Sequence, residues 1–439
     1  MGSKFGKEFE EPWPESQPEF TEFGRKLLGE CRDIEKPLPL SLEEINRNSA
    51  NFPIKFPIDT CRVISQPKDR WDVIQEQAAS AYPVVHERVV WLMLRFLEHK
   101  VQHGSRIEKE IYTGMSLQEL VQRLIIKRCV KFMGRVDRYI LITGEEGVDG
   151  FQDVGTDDEV PPLTLKNCMS YGEMKLSAFL SISSHSEFIN DGSRINSGIV
   201  EQDKEKIEPC GVVIGLIGPR LERINAMEYE DLIISSQQNL PENGYGPKNP
   251  KNSTIDKIDY RKMWNNFYDE QDFVFSEMAG DGKRFGPCYL KGDVIDNVVL
   301  KKRYSISFET LLLESEARAA TSGKRAYIHV VGIGLGVWQV ANQQEEIFLM
   351  AFGERLQALL PKLKNVSFVH FSWFHLNNVG GLKDGGFLKS SDHPDGGVQI
   401  FISKRNPADK LRGPKFENTL IIESYAWDSN ANPGNEFWH

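Results

Sequence analysis

Residues 327–339, YIHVVGIGLGVWQ, decide the reading of the fold. An apolar stretch from Tyr327 to Val331 runs straight into Gly332, Gly334 and Gly336, and a helical pattern follows at about 343 to 360. Glycines at the carboxyl end of a strand let backbone N–H groups approach a phosphate, and a helix N-terminus beyond them adds favourable partial charge. The stretch is a candidate diphosphate cradle, with Val337 and Trp338 beside the glycines. Its spacing is G-x-G-x-G rather than G-x-G-x-x-G, and no Lys-Ser/Thr pair follows, which demotes dinucleotide-fold and P-loop readings. A tight turn needing positive φ explains the same glycines, so both readings stand at this point.

Working outward, short apolar runs read as strands at 139–143, 211–217, 327–331, 366–374, 398–402 and 419–425, with helical patterns at about 306–321 and 343–360. Strand, helix, strand in alternation predicts an α/β sheet with helices on its faces. Upstream, Val85, Val89, Leu92 and Phe96 share one helical face, as do Leu117, Leu120, Val121 and Leu124, and Ser116 with Glu119 reads as a capping box. Residues 237–256, polar and rich in Asn, Gly and Pro, read as a surface loop. Residues 1–60 carry seven prolines (Pro12, Pro14, Pro18, Pro37, Pro39, Pro53 and Pro57), which predicts an extended or poorly ordered arm. The expected organisation is that arm, a small helical region over 61–135, and an α/β domain over 136–439.

The chain has 439 residues, 40% of them hydrophobic, enough for a substantial core, and a formal net charge of -10. That charge opposes nucleic acid and anionic lipid as partners. No apolar run reaches the roughly 18 residues of a membrane span, and the acidic N-terminus does not resemble an ordinary secretion signal. The expected location is cytoplasmic, or the host cytosol for a secreted bacterial effector. The six cysteines are dispersed, without a CxxC pair, and read as reduced, mostly packed thiols.

Three further clusters could carry chemistry. FINDGSRINSG (188–198) gathers Asn190, Asp191, Arg194 and Asn196, which suit ribose hydroxyls and pyrophosphate oxygens, although the composition by itself favours ordinary turns. NNVGGLKDGGFLKSSDHPDGG (377–397) places Asp384, Asp392 and Asp395 after a strand, as acids held over a ligand or as solvated loop residues. The terminal segment SYAWDSNANPGNEFW (424–438) interleaves aromatics with Asp428, Asn430 and Glu436, suiting a nucleoside or a packed tail. His329, His370, His375 and His393 form no H-x-x-x-H or HExxH element, so no metal is expected; His329, inside a strand, reads as a satisfied interior residue. No G-x-S-x-G motif supports a serine nucleophile.

Taken in order, FINDGSRINSG, GVVIGLIGPRLERINAMEYEDLII, GKRAYIHVVGIGLGVWQ, VSFVHFSWF, FISKRNPADKL and SYAWDSNANPGNEFW resemble the arginine-specific macrodomain family of the MavL type. The resemblance spans about 170 to 439. It implies a macrodomain-like mixed twisted sheet flanked by helices that binds ADP-ribose at the strand ends. The implied activity is an ADP-ribosylhydrolase cleaving the N-glycosidic bond to a protein arginine, as in ADP-ribosylated ubiquitin; a non-catalytic ADP-ribose reader is the alternative. Catalysis would fall to Asp384, Asp392 and Asp395. ADP-ribose would be held by Asn190, Asp191, Arg194, Asn196, Gly332, Gly334, Gly336, Val337, Trp338, Asp428, Asn430 and Glu436. No cofactor is implied, and the partners are ADP-ribosylated proteins, ubiquitin or ubiquitin-pathway proteins among them. Where an acid is expected in the strand before SWF, this chain has His370.

Overall fold

The computed structural model describes residues 4–5, 7–11, 13, 17–31, 40–53, 59–246, 252–278, 283–290 and 292–427. Its centre is one eight-stranded mixed sheet. In chain order the strands are β1 (Tyr82–Val85), β2 (Leu180–Glu187), β3 (Cys210–Leu216), β4 (Arg325–Val330), β5 (Val366–Phe371), β6 (Phe387–Lys389), β7 (Gly397–Ile402) and β8 (Thr419–Ala426). They lie side by side as β1-β2-β3-β8-β4-β5-β7-β6. The run β3-β8-β4-β5-β7 is parallel, while β1, β2 and β6 pair antiparallel at the two flanks.

Alternation sorts the side chains of β4. Ala326, Ile328 and Val330 join the main core, whereas Tyr327 packs with Phe368 and Ile421 on the other face. Main helices in chain order are α1 (Trp71–Ala79), α2 (Glu87–His103), α3 (Arg106–Tyr112), α4 (Leu117–Ile126), α5 (Ile255–Tyr268), α6 (Asn297–Ser322) and α7 (Gln344–Leu359). Helices α6 and α7 pack on each other, and α6 lies against β3, β4, β5 and β8. Helix α6 starts where the Asp296 side chain accepts from Val298 N and Val299 N, and it stops at Gly323, whose φ is 61°. These are an N-cap and a left-handed C-terminal stop. Burial of most of α6 leaves three consecutive cations inside, each with a carboxylate: Lys301 with Glu354, Lys302 with Glu270, and Arg303 with Glu228.

The mixed α/β reading of the sequence is the observed class. The capping box at Ser116 and Glu119 opens α4 as expected, and Cys31, Cys129, Cys168, Cys210 and Cys288 form no disulfide among the described residues. No described helix is long and apolar enough to cross a membrane. The described residues among 1–135 pack against the sheet and its helices. Helices span Glu22–Glu30 and Leu42–Ala50, and Phe5, Phe9 and Trp13 are buried in the same core cluster as the sheet. Lys301 donates to the carbonyls of Phe9 and Glu11, which fastens this segment to α6. The 61–135 region is equally continuous with the rest, since β1 adds to the main sheet and α2 packs on α5. Aromatic anchors outweigh the prolines.

Candidate functional site

The five parallel strands deliver their carboxyl ends to one edge of the sheet. There the loop after β3 and the loop after β4 meet across the end of β8. A methyl group added to Gly218 would overlap Gly334 N, and one added to Gly334 would stand 2.8 Å from Pro219 Cδ. Gly334 also has φ of 75°, a region that favours glycine. Gly332 and Gly336 have no positive φ, so the turn explanation applies only to the middle glycine. Val331 N donates to Ser424 Oγ at 2.9 Å and Trp427 N to Leu216 O at 2.8 Å, which ties both loops to β8.

Within the glycine loop, Leu335 N donates to Gly332 O and Gln339 N to Gly336 O. The amides of Gly332, Gly334, Gly336, Val337 and Trp338 find no acceptor among the described residues. Gly336 and Val337 are exposed, while Trp338 is buried against Ala178 and Ile217, with Trp427 packed on them. A run of unused donors on an accessible loop is what an anion needs.

Cations converge on the same place. Arg128, just past α4, donates to Leu124 O at 2.8 Å and to Ser177 O at 3.3 Å, and its guanidinium lies 4.0 Å from the Trp427 ring centroid. It is buried, has no acidic partner among the described residues, and its Nη1 is without a hydrogen bond there. Burial pushes its pKa down to about 9. Arg220, on the loop after β3, lies 4.0 Å from the Phe132 ring and 5.8 Å from that of Trp338, and pairs with Asp137 at 3.6 Å. Arg303 is neutralised by Glu228 beneath Ile217, whose carbonyl it also reaches. Arg128 was missed in the sequence because nothing near CVKFMG marks it; only the fold brings it to Trp427.

Besides the acids paired with these arginines, Glu222 and Asp384 reach this edge from different loops. Glu222, two residues past Arg220, is half-buried and has no hydrogen-bond partner among the described residues. Burial raises its pKa, against the charges of Arg220 and Arg135. Asp384, before β6, accepts from Ile402 N at 2.8 Å at the end of β7. The other two sequence candidates stand elsewhere. Asp395 accepts from Ser367 Oγ at 2.5 Å and pairs with Arg325 at 3.3 Å, and Asp392 O accepts from Lys364 Nζ, all at the starts of β4 and β5. A strand of six residues separates these edges by about 20 Å. One loop therefore does not hold all three acids over one ligand, because β6 carries the chain from one edge to the other.

The FINDGSRINSG cluster behaves mainly as a turn. Asn190 donates to Asn196 Oδ1 and Ile199 O and accepts from Gly192 N, while Asn196 donates to Ser193 O and accepts from Gly198 N. Asp191 accepts from Asn406 Nδ2 at 2.8 Å, pinning the cluster to the loop after β7, and Arg194 is exposed. The structure does not bring this cluster onto the glycine loop. Asp428, Asn430 and Glu436 lie outside the described residues, in the segment that continues from Trp427.

Just below the edge, on the face turned away from α6, Glu423, His329 and His370 stand abreast on β8, β4 and β5. Burial pushes the Glu423 carboxyl up to about 8, against the nearby Arg405 charge. It pushes His329 down to about 3 and His370 to about 4, the latter against its bond to Ser403. His370 also meets Tyr327 Oη at 2.5 Å through Nδ1. His329 Nδ1 and Glu423 Oε1 lack partners among the described residues, so the expected satisfied interior histidine is only half satisfied.

Comparison with known proteins converges on one family. The family described as ADP-ribosylhydrolase MavL-like matches residues 43–439. Two Drosophila melanogaster proteins are similar over nearly the whole chain. ADP-ribosylarginine hydrolase CG2909 is 47% identical over 441 residues, 99% of this chain and 87% of that protein. ADP-ribosylarginine hydrolase CG3568 is 49% identical over 433 residues, 97% of this chain and 84% of that protein.

Proposed function

Because the chain belongs to the MavL-like ADP-ribosylhydrolase family, we propose that it hydrolyses the N-glycosidic bond joining ADP-ribose to an arginine side chain of a modified protein. The cleft is of macrodomain type, at the carboxyl edge of the parallel strands. One observation carries the reading: the five amides of Gly332, Gly334, Gly336, Val337 and Trp338, without acceptors among the described residues, stand on an accessible loop beside Trp427, which stacks on Arg128, a cation without an acidic partner among the described residues. A diphosphate answers both, accepting from the amides and neutralising the guanidinium.

In this reading the ribose projects from the diphosphate toward Glu222 and Asp384. Water attacks the anomeric carbon as the bond to the guanidine nitrogen breaks, with positive charge building on the sugar. Glu222, whose carboxyl is raised by burial, keeps the leaving guanidine protonated, and Asp384, held by Ile402 N, orients the water. No oxidation state changes, so no redox cofactor is required. Asp428, Asn430 and Glu436, outside the described residues, are proposed as ADP-ribose ligands on the resemblance of their segment alone. Asp392 and Asp395 serve the far edge and take no part.

The test is release of ADP-ribose from ubiquitin and peptides carrying it on arginine, serine or glutamate in parallel. Release from arginine alone is expected. Tight binding of ADP-ribose without release from any of the three would identify a reader module instead, and neither binding nor release would overturn both.

A further inference from the structure

The sequence expectation of no metal site rested on the four histidines of the C-terminal third. H-x-x-x-H spacing does occur, at His99 and His103 in the last turns of α2. Residues four apart share one helical face. That face meets α5, and the residue it meets is Asp259. His99 Nδ1 lies 2.9 Å from Asp259 Oδ2, and His103 Nε2 lies 3.9 Å from the same oxygen. All three ligand atoms fall within 4.8 Å of one another.

From this geometry we propose that His99, His103 and Asp259 form a binding site for a divalent transition ion of the zinc class, clasping α2 to α5. Zinc takes nitrogen and oxygen donors at about 2.0–2.2 Å in a tetrahedron, which sets donor pairs about 3.3–3.5 Å apart. The observed 2.9 and 3.9 Å bracket that span, and with all three donors within 4.8 Å of one another, rotation of the side chains would bring them onto one ion as three of four positions. The carboxylate is also prepared. Arg95 Nη2 holds Oδ1 at 3.2 Å and leaves Oδ2 facing both imidazoles, the kind of outer contact that orients a ligand. Arg95 is itself offset by Glu98. His99 is buried, whereas His103 and Asp259 are 24% and 25% exposed, giving an ion a way in and leaving the fourth position to water. Two imidazoles and one carboxylate suit zinc, cobalt or nickel better than calcium or magnesium.

The site is independent of the hydrolase reading, and its test does not use turnover. The full chain, stripped with a chelator, is titrated with cobalt(II), whose visible ligand-field bands report coordination. One equivalent is expected to give bands that zinc(II) displaces, and zinc is expected to raise the melting temperature. His103→Ala and Asp259→Asn should lose the bands while melting, in chelator, close to the stripped parent chain. Arg95→Met should weaken binding about 10–100-fold. A second arm needs no variant: zinc should protect His103 from diethylpyrocarbonate. Featureless cobalt titration, bands that persist in His103→Ala, or unprotected His103 would each show that His99 and Asp259 form only an interhelical hydrogen bond.

Discussion

Gly218 and Gly334 touch backbone to backbone across the end of β8, with no room for a side chain on either. The contact joins the loops of two strands that are not neighbours, and it holds the glycine loop in the conformation that leaves its amides unused. Gly218→Ala and Gly334→Val are therefore expected to lower stability by about 1–3 kcal/mol, the usual cost of forcing extra carbon into a packed place. They should also weaken ADP-ribose binding by more than the stability loss explains, read by calorimetry well below the melting transition. Parent-like affinity in both variants would move the phosphate site away from this loop.

Arg128 permits a prediction with opposite signs in two measurements. Losing a charged hydrogen bond to a phosphate typically costs about 1.5–3 kcal/mol, so Arg128→Gln should bind ADP-ribose about 10–150-fold less tightly. Removing a buried cation that has no counter-ion among the described residues should leave the unliganded protein equally stable or more stable. A variant that instead unfolds and, where folded, binds normally would reduce Arg128 to a brace for Trp427.

For the acids, position divides the expected outcomes. Glu222→Gln and Asp384→Asn should slow release of arginine-linked ADP-ribose by about 100-fold or more, in the range of a lost general acid or base, with ADP-ribose affinity largely kept. Asp392→Asn should turn over at the parent rate. Asp395→Asn should do so too, apart from a small stability loss through Ser367 and Arg325. Impaired turnover in the last two with intact turnover in the first two would reverse the proposed orientation of the site.

The Glu423, His329 and His370 row sets a pH optimum for stability. His329 and His370 are held well below the ordinary 6.5, so the unfolded chain takes up protons that the folded one refuses, and stability falls as pH drops below about 6.5. Glu423 is held up at about 8 against an ordinary 4.5. The folded chain keeps a proton that the unfolded one releases, so stability falls as pH rises from about 4.5 and levels off above about 8. With two histidines against one glutamate, the row predicts a maximum near pH 6.5. Urea melts at pH 5, 6.5 and 8 should show it, and Glu423→Gln should remove the decline between 6.5 and 8 while keeping the acid side. An unchanged alkaline decline in that variant would assign it to another group.

Much of the sheet could be read in advance because its central strands are continuous apolar runs, as a parallel strand buried on both faces requires. The strands 211–217, 327–331, 398–402 and 419–425 match the observed ones to within two residues at each end. What escaped was flanking structure. Strand β2, LSISSHSE, is too polar to advertise itself, β1 contains Pro83, and β6 has three residues. Missing β6 hid the fact that Asp384 and Asp395 face opposite edges. Arg128 and Glu222 were invisible for a different reason: their significance comes from what surrounds them, a ring, a missing counter-ion and a low-dielectric wall, none of which has a local signature.

The fastening of Phe9 and Glu11 to Lys301 has a practical side. Lys301 sits two residues from Arg303, whose guanidinium reaches the Ile217 carbonyl. Clipping the chain ahead of residue 17 is expected to uncover an ammonium group 2% exposed at present and to wet the helix beneath the proposed nucleotide cleft. Purification handles therefore belong ahead of Lys4 with a spacer, not in place of the segment.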